Sequence, residues 1–228
     1  MPLILHIETA TDICSIGLAR QGQILSLRET AEQFQHASRI TLLIEACCRE
    51  VGVVLNDLDA VALSRGPGSF TALRIGAACA KGICYALGKP LLSIDTLQAL
   101  TAGAVATLGR TDPTYYPMID ARRMEVYTAP YNSDLEALAP PRAMLIDESS
   151  FQDRLQRGEE IVLTGNGAAK CAEVLKHPGL SLFPLACSAR YMALLAEKAF
   201  SASEWQDLAY FEPFYLKPPN ITSSKRKI

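Results

Sequence analysis

Two stretches of this chain open alike, and that repetition restricts the fold more than any other feature. Leu3-Ile4-Leu5-His6-Ile7-Glu8 is an apolar strand ending in a carboxylate. The polar turn Thr9-Ala10-Thr11-Asp12 leads into a return strand over Ile13 to Ala19, and Gln21-Gly22-Gln23 leads into a third over Ile24 to Leu27. Tyr115-Tyr116-Pro117-Met118-Ile119-Asp120 is again a strand ending in a carboxylate, followed by Ala121-Arg122-Arg123 and a return strand over Met124 to Tyr131. Each segment predicts a β-hairpin with an acidic tight turn.

The segments after the two hairpins match as well. His36 to Val51 carries Ile40, Leu43, Ile44 and Cys47 at helical spacing, and Ala60 to Leu63 reads as a buried strand. A glycine turn and a second helix come next, then a strand over Pro90 to Ile94 and a helix over Thr96 to Leu108. The later half gives a helical pattern over Glu148 to Arg157, a strand over Glu160 to Thr164, the turn Gly165-Asn166-Gly167 and a helix from Ala168. A last helix is predicted over Ser188 to Ser201. The order predicts an α/β protein of two duplicated lobes, 1–108 and 109–228. Two such lobes, each turning an acidic hairpin to a shared cleft, describe the actin/hexokinase-like (ASKHA) architecture, in which the hairpin turns grip nucleotide phosphates.

The glycine turn is the most specific motif. Arg65-Gly66-Pro67-Gly68-Ser69-Phe70 follows the strand and leads into a helix rich in Ala and Gly. Ser69 stands at the N-cap position. Backbone N–H groups and a helix N-terminus would then face the turn, which reads either as an anion cradle or as a sharp corner. It lacks the lysine of a P-loop, and its glycines do not follow the dinucleotide fingerprint.

The opening strand and turn, the Gly66–Gly76 segment, Ile119-Asp120-Ala121-Arg122 and Pro213-Phe214-Tyr215-Leu216 together resemble the TsaB (YeaZ) family over nearly the whole chain. That resemblance implies an actin-like paralogue of the catalytic subunit TsaD, acting as its non-catalytic partner with the small ATPase TsaE in making threonylcarbamoyladenosine beside the tRNA anticodon. Glu8 stands where the family usually has Asp, and Ala72 where it has Gly; the alanine argues against a very close backbone approach there. The resemblance also tips the reading of the helices toward an interface with TsaD, or with a second copy of the chain when alone. The residues expected there are His36, Ile40, Leu43, Ile44, Cys47, Phe70, Leu73, Arg74, Ala77, Ala80, Lys81 and Cys84; pattern alone leaves core burial equally open.

Catalytic chemistry has little support in the residues. The three histidines, His6, His36 and His177, include no pair at i, i+3 or i+4, so no metal site is expected. His6 reads as a core residue, His36 as a helix-start residue for capping or partner contact, and His177 as a surface loop. Glu8, Thr9, Thr11, Asp120, Arg122, Gly165, Asn166 and Gly167 would form a vestigial nucleotide site, with weak binding and no turnover, because neither hairpin turn offers a glycine to wrap phosphate. Gly66, Pro67, Gly68 and Ser69 are expected to form a structural turn, and Ser69 a cap rather than a nucleophile. The alternatives are an ATP- and Mg-dependent transferase or ATPase using Glu8 and Asp120, and, less favoured, a glycoprotease-like peptidase.

Composition narrows the setting. Apolar residues make up 49% of the 228, charged residues 20%, and the net charge of −2 gives no global attraction to nucleic acid or anionic membrane. Seven cysteines without paired-ligand spacing suit a reducing cytoplasm. No apolar run is expected to span a bilayer. The basic end, Ser223 to Lys227, reads as a solvated terminus, leaving tRNA to be met only indirectly through the complex.

Overall fold

A computed structural model describes residues 1–30 and 35–218; the basic end lies outside the described residues. Two five-stranded sheets are formed. The first contains β1 (Leu3–Glu8), β2 (Cys14–Arg20), β3 (Gln23–Thr30), β4 (Ala60–Ser64) and β5 (Leu91–Ile94), in the order β3-β2-β1-β4-β5. The second contains β6 (Thr114–Asp120), β7 (Glu125–Thr128), β8 (Arg142–Leu145), β9 (Ile161–Thr164) and β10 (Leu180–Phe183), in the order β10-β9-β6-β7-β8. In each sheet the first strand is central, with its hairpin partner antiparallel on one side and the later strand parallel on the other. The repeat legible in the sequence is therefore a repeat of topology, and the chain has the α/β actin-like fold.

Helices cover the first sheet on both faces. On one face lie α1 (His36–Val51) and α2 (Phe70–Leu87); α3 (Thr96–Leu108) brings Ala99 to the other face but packs Leu97, Leu100 and Ala104 against Tyr115, Ile119 and Val162 of the second sheet. A central strand covered on two sides must be apolar on two sides, and all six residues of β1 are buried. Leu3, Leu5 and Ile7 pack with Ile40, Ile44 and Cys47 of α1 and Ala77, Ala80 and Cys84 of α2. Ile4 points the other way, with Ala62, Leu92 and Ala99. The second lobe has short helices, α4 at Gln152–Gln156, shorter than the expected Glu148 to Arg157, and α5 at Ala168–Cys171, starting where expected.

The end of the chain, from about Ser188, packs away from the rest of residues 109–228. A short 3₁₀ turn at Ala189–Met192 and α6 (Ala193–Ser201) pack on the first sheet, with Met192, Leu195, Ala196 and Ala199 beside Ile4, Ala60 and Leu92. The segment beyond stays there. Gln206 N donates to Leu91 O at 2.9 Å and Phe214 N to Arg65 O at 2.7 Å. Lys81 Nζ donates to the carbonyls of Ala209 and Phe211 at 3.3 and 3.2 Å. Residues 109–228 thus do not pack as one unit, because the apolar outer face of β4 and β5 is covered by the chain's end.

One expectation about membranes also changes. With 18 residues and a mean hydropathy of 1.2, α2 is long and apolar enough by length and composition to cross a bilayer. Its inner face, however, lies in the core of the first lobe.

Candidate functional site

The first hairpin turn is sealed by its own chain. Glu8, Thr9 and Ala10 are essentially fully buried, and Thr11 nearly so. Glu8 Oε1 accepts from Ala10 N at 2.6 Å and from Ser64 Oγ at 2.9 Å, while Ser64 Oγ accepts from Thr9 N at 3.3 Å. The glycine turn closes from above. Ser69 N donates to Ala10 O at 2.7 Å, and a Cβ on Gly68 would lie 2.3 Å from that same oxygen. Nearly two turns into α2, a Cβ on Gly76 would lie 2.3 Å from Thr9 Oγ1. Only hydrogen fits at either place. The close approach that Ala72 argued against is made by Gly68 and Gly76 instead.

The other glycine of this turn faces the chain's end. Gly66 (φ +109) donates to Thr96 Oγ1 at 3.1 Å, and its absent Cβ would sit 2.6 Å from Phe214 O. The Gly66–Pro67 peptide is cis. Ser69 holds the N-cap position of α2, but its side chain makes no capping bond, so the expected cap is corrected: its backbone amide does the work by binding Ala10. Ser69→Ala is therefore expected to change stability by less than about 0.5 kcal/mol, measurable by denaturant titration.

Burial sets the electrostatics of β1. The Glu8 carboxyl is pushed up from 4.5 to about 7 by desolvation, against the opposing bonds from Ala10 and Ser64. His6, fully buried, is pulled down from 6.5 to about 3 by desolvation, and neither ring nitrogen has a hydrogen-bond partner among the described residues. It is a core residue. His36 is buried too, with Nε2 unpartnered, and the N-cap of α1 is Gln35 without a side-chain bond; the capping role expected of His36 is not found. His177 Nδ1 accepts from Gly179 N at 3.0 Å.

The second hairpin is neutralised differently. Asp120 pairs with Lys170, whose ammonium also donates to Arg123 O at 2.8 Å and Glu125 O at 2.6 Å. Asp120 Oδ1 accepts from Arg122 N at 2.8 Å, and Asp120 N donates to Asn166 Oδ1 at 3.0 Å. Gly165 (φ +98) has no room for a Cβ, which would lie 2.3 Å from Met118 O, and Gly167 N donates to that carbonyl at 2.9 Å. The structure thus brings Asp120, Arg122, Gly165, Asn166 and Gly167 together around β6, in an exposed network in which Lys170 holds the carboxylate. Lys170 was invisible in the sequence because only tertiary packing brings it to the turn. Among the described residues, no group of three or more His, Cys, Asp and Glu side chains is placed to hold a metal ion.

The expected partner face needs a phase correction. Ile40, Ile44, Cys47, Leu73, Ala77, Ala80 and Cys84 point into the core, and His36 is buried with them; they cannot meet a partner while the lobe is folded. Phe70 stacks on Tyr215 at 4.6 Å, Arg74 lies over the Phe70 ring, and Lys81 holds the C-terminal segment. Leu43 is half-buried. The outward positions are Thr41, Leu42 and Glu45 on α1, and Ala78, Gly82, Tyr85 and Ala86 on α2, with Leu42 54% and Tyr85 84% exposed. Between the helices runs a groove of about 400 Å³ lined chiefly by Ile44, Cys48, Val53, Leu55, Cys79 and Ile83.

A duplicated α/β fold with the first hairpin turn buried and the carboxylate of the second held by Lys170 defines a class: a protein of the actin/hexokinase-like fold. Comparisons make the assignment specific. The family model of "TsaD: tRNA N6-adenosine threonylcarbamoyltransferase" matches residues 29–221. The tRNA threonylcarbamoyladenosine biosynthesis protein TsaB of Escherichia coli is 31% identical over 220 residues, covering 94% of each chain. YeaZ from Pseudomonas aeruginosa superposes with a TM-score of 0.82 at 26% identity, covering 95% of this chain and all of that one. The ethanolamine utilization protein EutJ from Carboxydothermus hydrogenoformans, at 11% identity and a TM-score of 0.51 over 85% of this chain and 90% of its own, shares the fold alone. The chain belongs to the TsaB (YeaZ) family, within the wider threonylcarbamoyltransferase family whose model it matches.

Proposed function

We propose that this chain is the non-catalytic subunit that holds and activates TsaD during threonylcarbamoyl transfer to the adenosine beside the tRNA anticodon, alongside the ATPase TsaE. The sealed first hairpin carries this reading. A phosphate-binding turn must present its amides to solvent, and here Thr9 and Ala10 are buried beneath Gly68 and Gly76. Lys170 likewise occupies Asp120, which a Mg-dependent ATPase would need free. An ATPase or transferase in its own right would require the first turn to open and Asp120 to part from Lys170, and a peptidase would require a base beside Ser69; no observation favours either. A cytoplasmic setting agrees with seven free cysteines.

The surface that remains for assembly is the outer face of α1 and α2, which would also pair two copies when the chain is alone. A Cβ on Gly82 meets nothing within 4 Å, and Ala78 is exposed. The double substitution Ala78→Asp, Gly82→Asp should leave the fold intact and abolish co-elution with TsaD in size-exclusion chromatography. Ala80→Asp, which buries a charge in the core, should instead unfold the lobe. Unchanged co-elution of the double variant would move the interface elsewhere.

A further inference from the structure

The tip of the β6–β7 hairpin is built in a costly way. Arg122 and Arg123 are consecutive and exposed, with φ of +71° and +50°. Left-handed backbone suits Gly, Asn and Asp, and two arginines in a row there gain nothing for the turn itself. The acids nearby are already matched: Asp120 is bound by Lys170 and Glu125 by Lys217. Neither Arg122 nor Arg123 makes an ion pair among the described residues. A chain of net charge −2 thus carries an uncompensated positive point on a projecting turn. The same edge continues through Lys217 and Tyr215, stacked on Phe70, to the exposed Arg74.

We infer that this tip is a direct contact for the phosphodiester backbone of RNA, with Arg122 and Arg123 on the phosphates. Adjacent guanidinium forks match phosphate oxygens bidentately and keep their charge at any physiological pH. A local positive point in a weakly acidic protein steers a polyanion to one place instead of coating the surface with it. The inference rests on the proposed role in tRNA modification for its choice of RNA over an acidic protein surface. It goes beyond that role, in which the chain meets tRNA only through its partners.

The test is the double substitution Arg122→Asn, Arg123→Gly. Both new residues favour positive φ, so the variant should fold at least as well as the parent, and lost binding cannot be ascribed to a broken hairpin. Fluorescence anisotropy with an unmodified tRNA transcript, from roughly 50 to 200 mM salt, should show affinity about tenfold weaker at low salt and a salt slope shallower by about 1.5. The control Arg20→Asn, Arg157→Asn removes the same charge elsewhere and should change binding little. Equal binding by R122N/R123G and the parent, or equal weakening in the control, overturns the inference. So does loss of TsaD co-elution with RNA binding unchanged, which would make the tip a protein contact. If RNA binding depends on the arginines but the chain fails to activate TsaD, the inference stands and the proposed function falls.

Discussion

Gly68→Ala should destabilise this chain by about 3 kcal/mol and lower its melting temperature by roughly 5–10 °C, although the change adds one methyl group. The reason is the atom in the way. The added Cβ would lie 2.3 Å from Ala10 O, and that oxygen already accepts from Ser69 N at 2.7 Å. A flexible side chain could swing aside, but a hydrogen-bonded carbonyl inside a buried turn cannot. Gly82→Ala is the control: its Cβ enters open space on the same helix, and helix propensity predicts a gain of about 1 kcal/mol. Calorimetry of the two variants separates them by sign. A Gly68→Ala protein as stable as the parent would mean that the glycine turn does not seal the hairpin.

Stability should form a plateau in pH bounded by two groups on one strand. His6 falls from 6.5 to about 3 on folding. The folded state resists its proton, so stability is complete above pH 6.5 and is lost as pH falls toward 3, by about 5 kcal/mol in all. Glu8 rises from 4.5 to about 7. The folded state keeps this proton, so its contribution is complete below pH 4.5 and is lost as pH rises toward 7, by about 3 kcal/mol. Between pH 4.5 and 6.5 the slopes oppose each other; below that window His6 dominates and above it Glu8. Glu8→Gln preserves an acceptor for Ala10 N and Ser64 Oγ while removing the ionisation. Urea titrations should therefore show the variant gaining about 3 kcal/mol over the parent at pH 8 and losing its alkaline slope. An unchanged slope would assign the alkaline limb to another group.

Much of this fold is legible in the sequence because its signals are local. The run of α1, with Ile40, Ile44 and Cys47 on one face, matches its expected bounds His36–Val51, and α3 matches at Thr96–Leu108. Both acidic hairpins and both glycine turns lie where turn chemistry puts them. What escaped was phase and distance. Small residues occupy every face of α2, so composition could not say that Ala77 and Ala80 point inward while Ala78 and Gly82 point out. The strands β8 and β10 are four-residue edges with little alternation. The docking of α6 on the first sheet, and of Lys170 on Asp120, depends on residues far apart in sequence. At the site, sequence chemistry identified the turns and their acids, but only the folded chain shows the first turn buried and the second's carboxylate held by Lys170.

The most direct test is tRNA threonylcarbamoylation with purified components. This chain alone should transfer nothing; TsaD with TsaE should depend on it; and Glu8→Gln, which leaves the sealed turn in place, should activate TsaD as well as the parent does. Transfer by the chain alone, or loss of activation in the Glu8→Gln protein, would contradict a non-catalytic role and return Glu8 to catalysis.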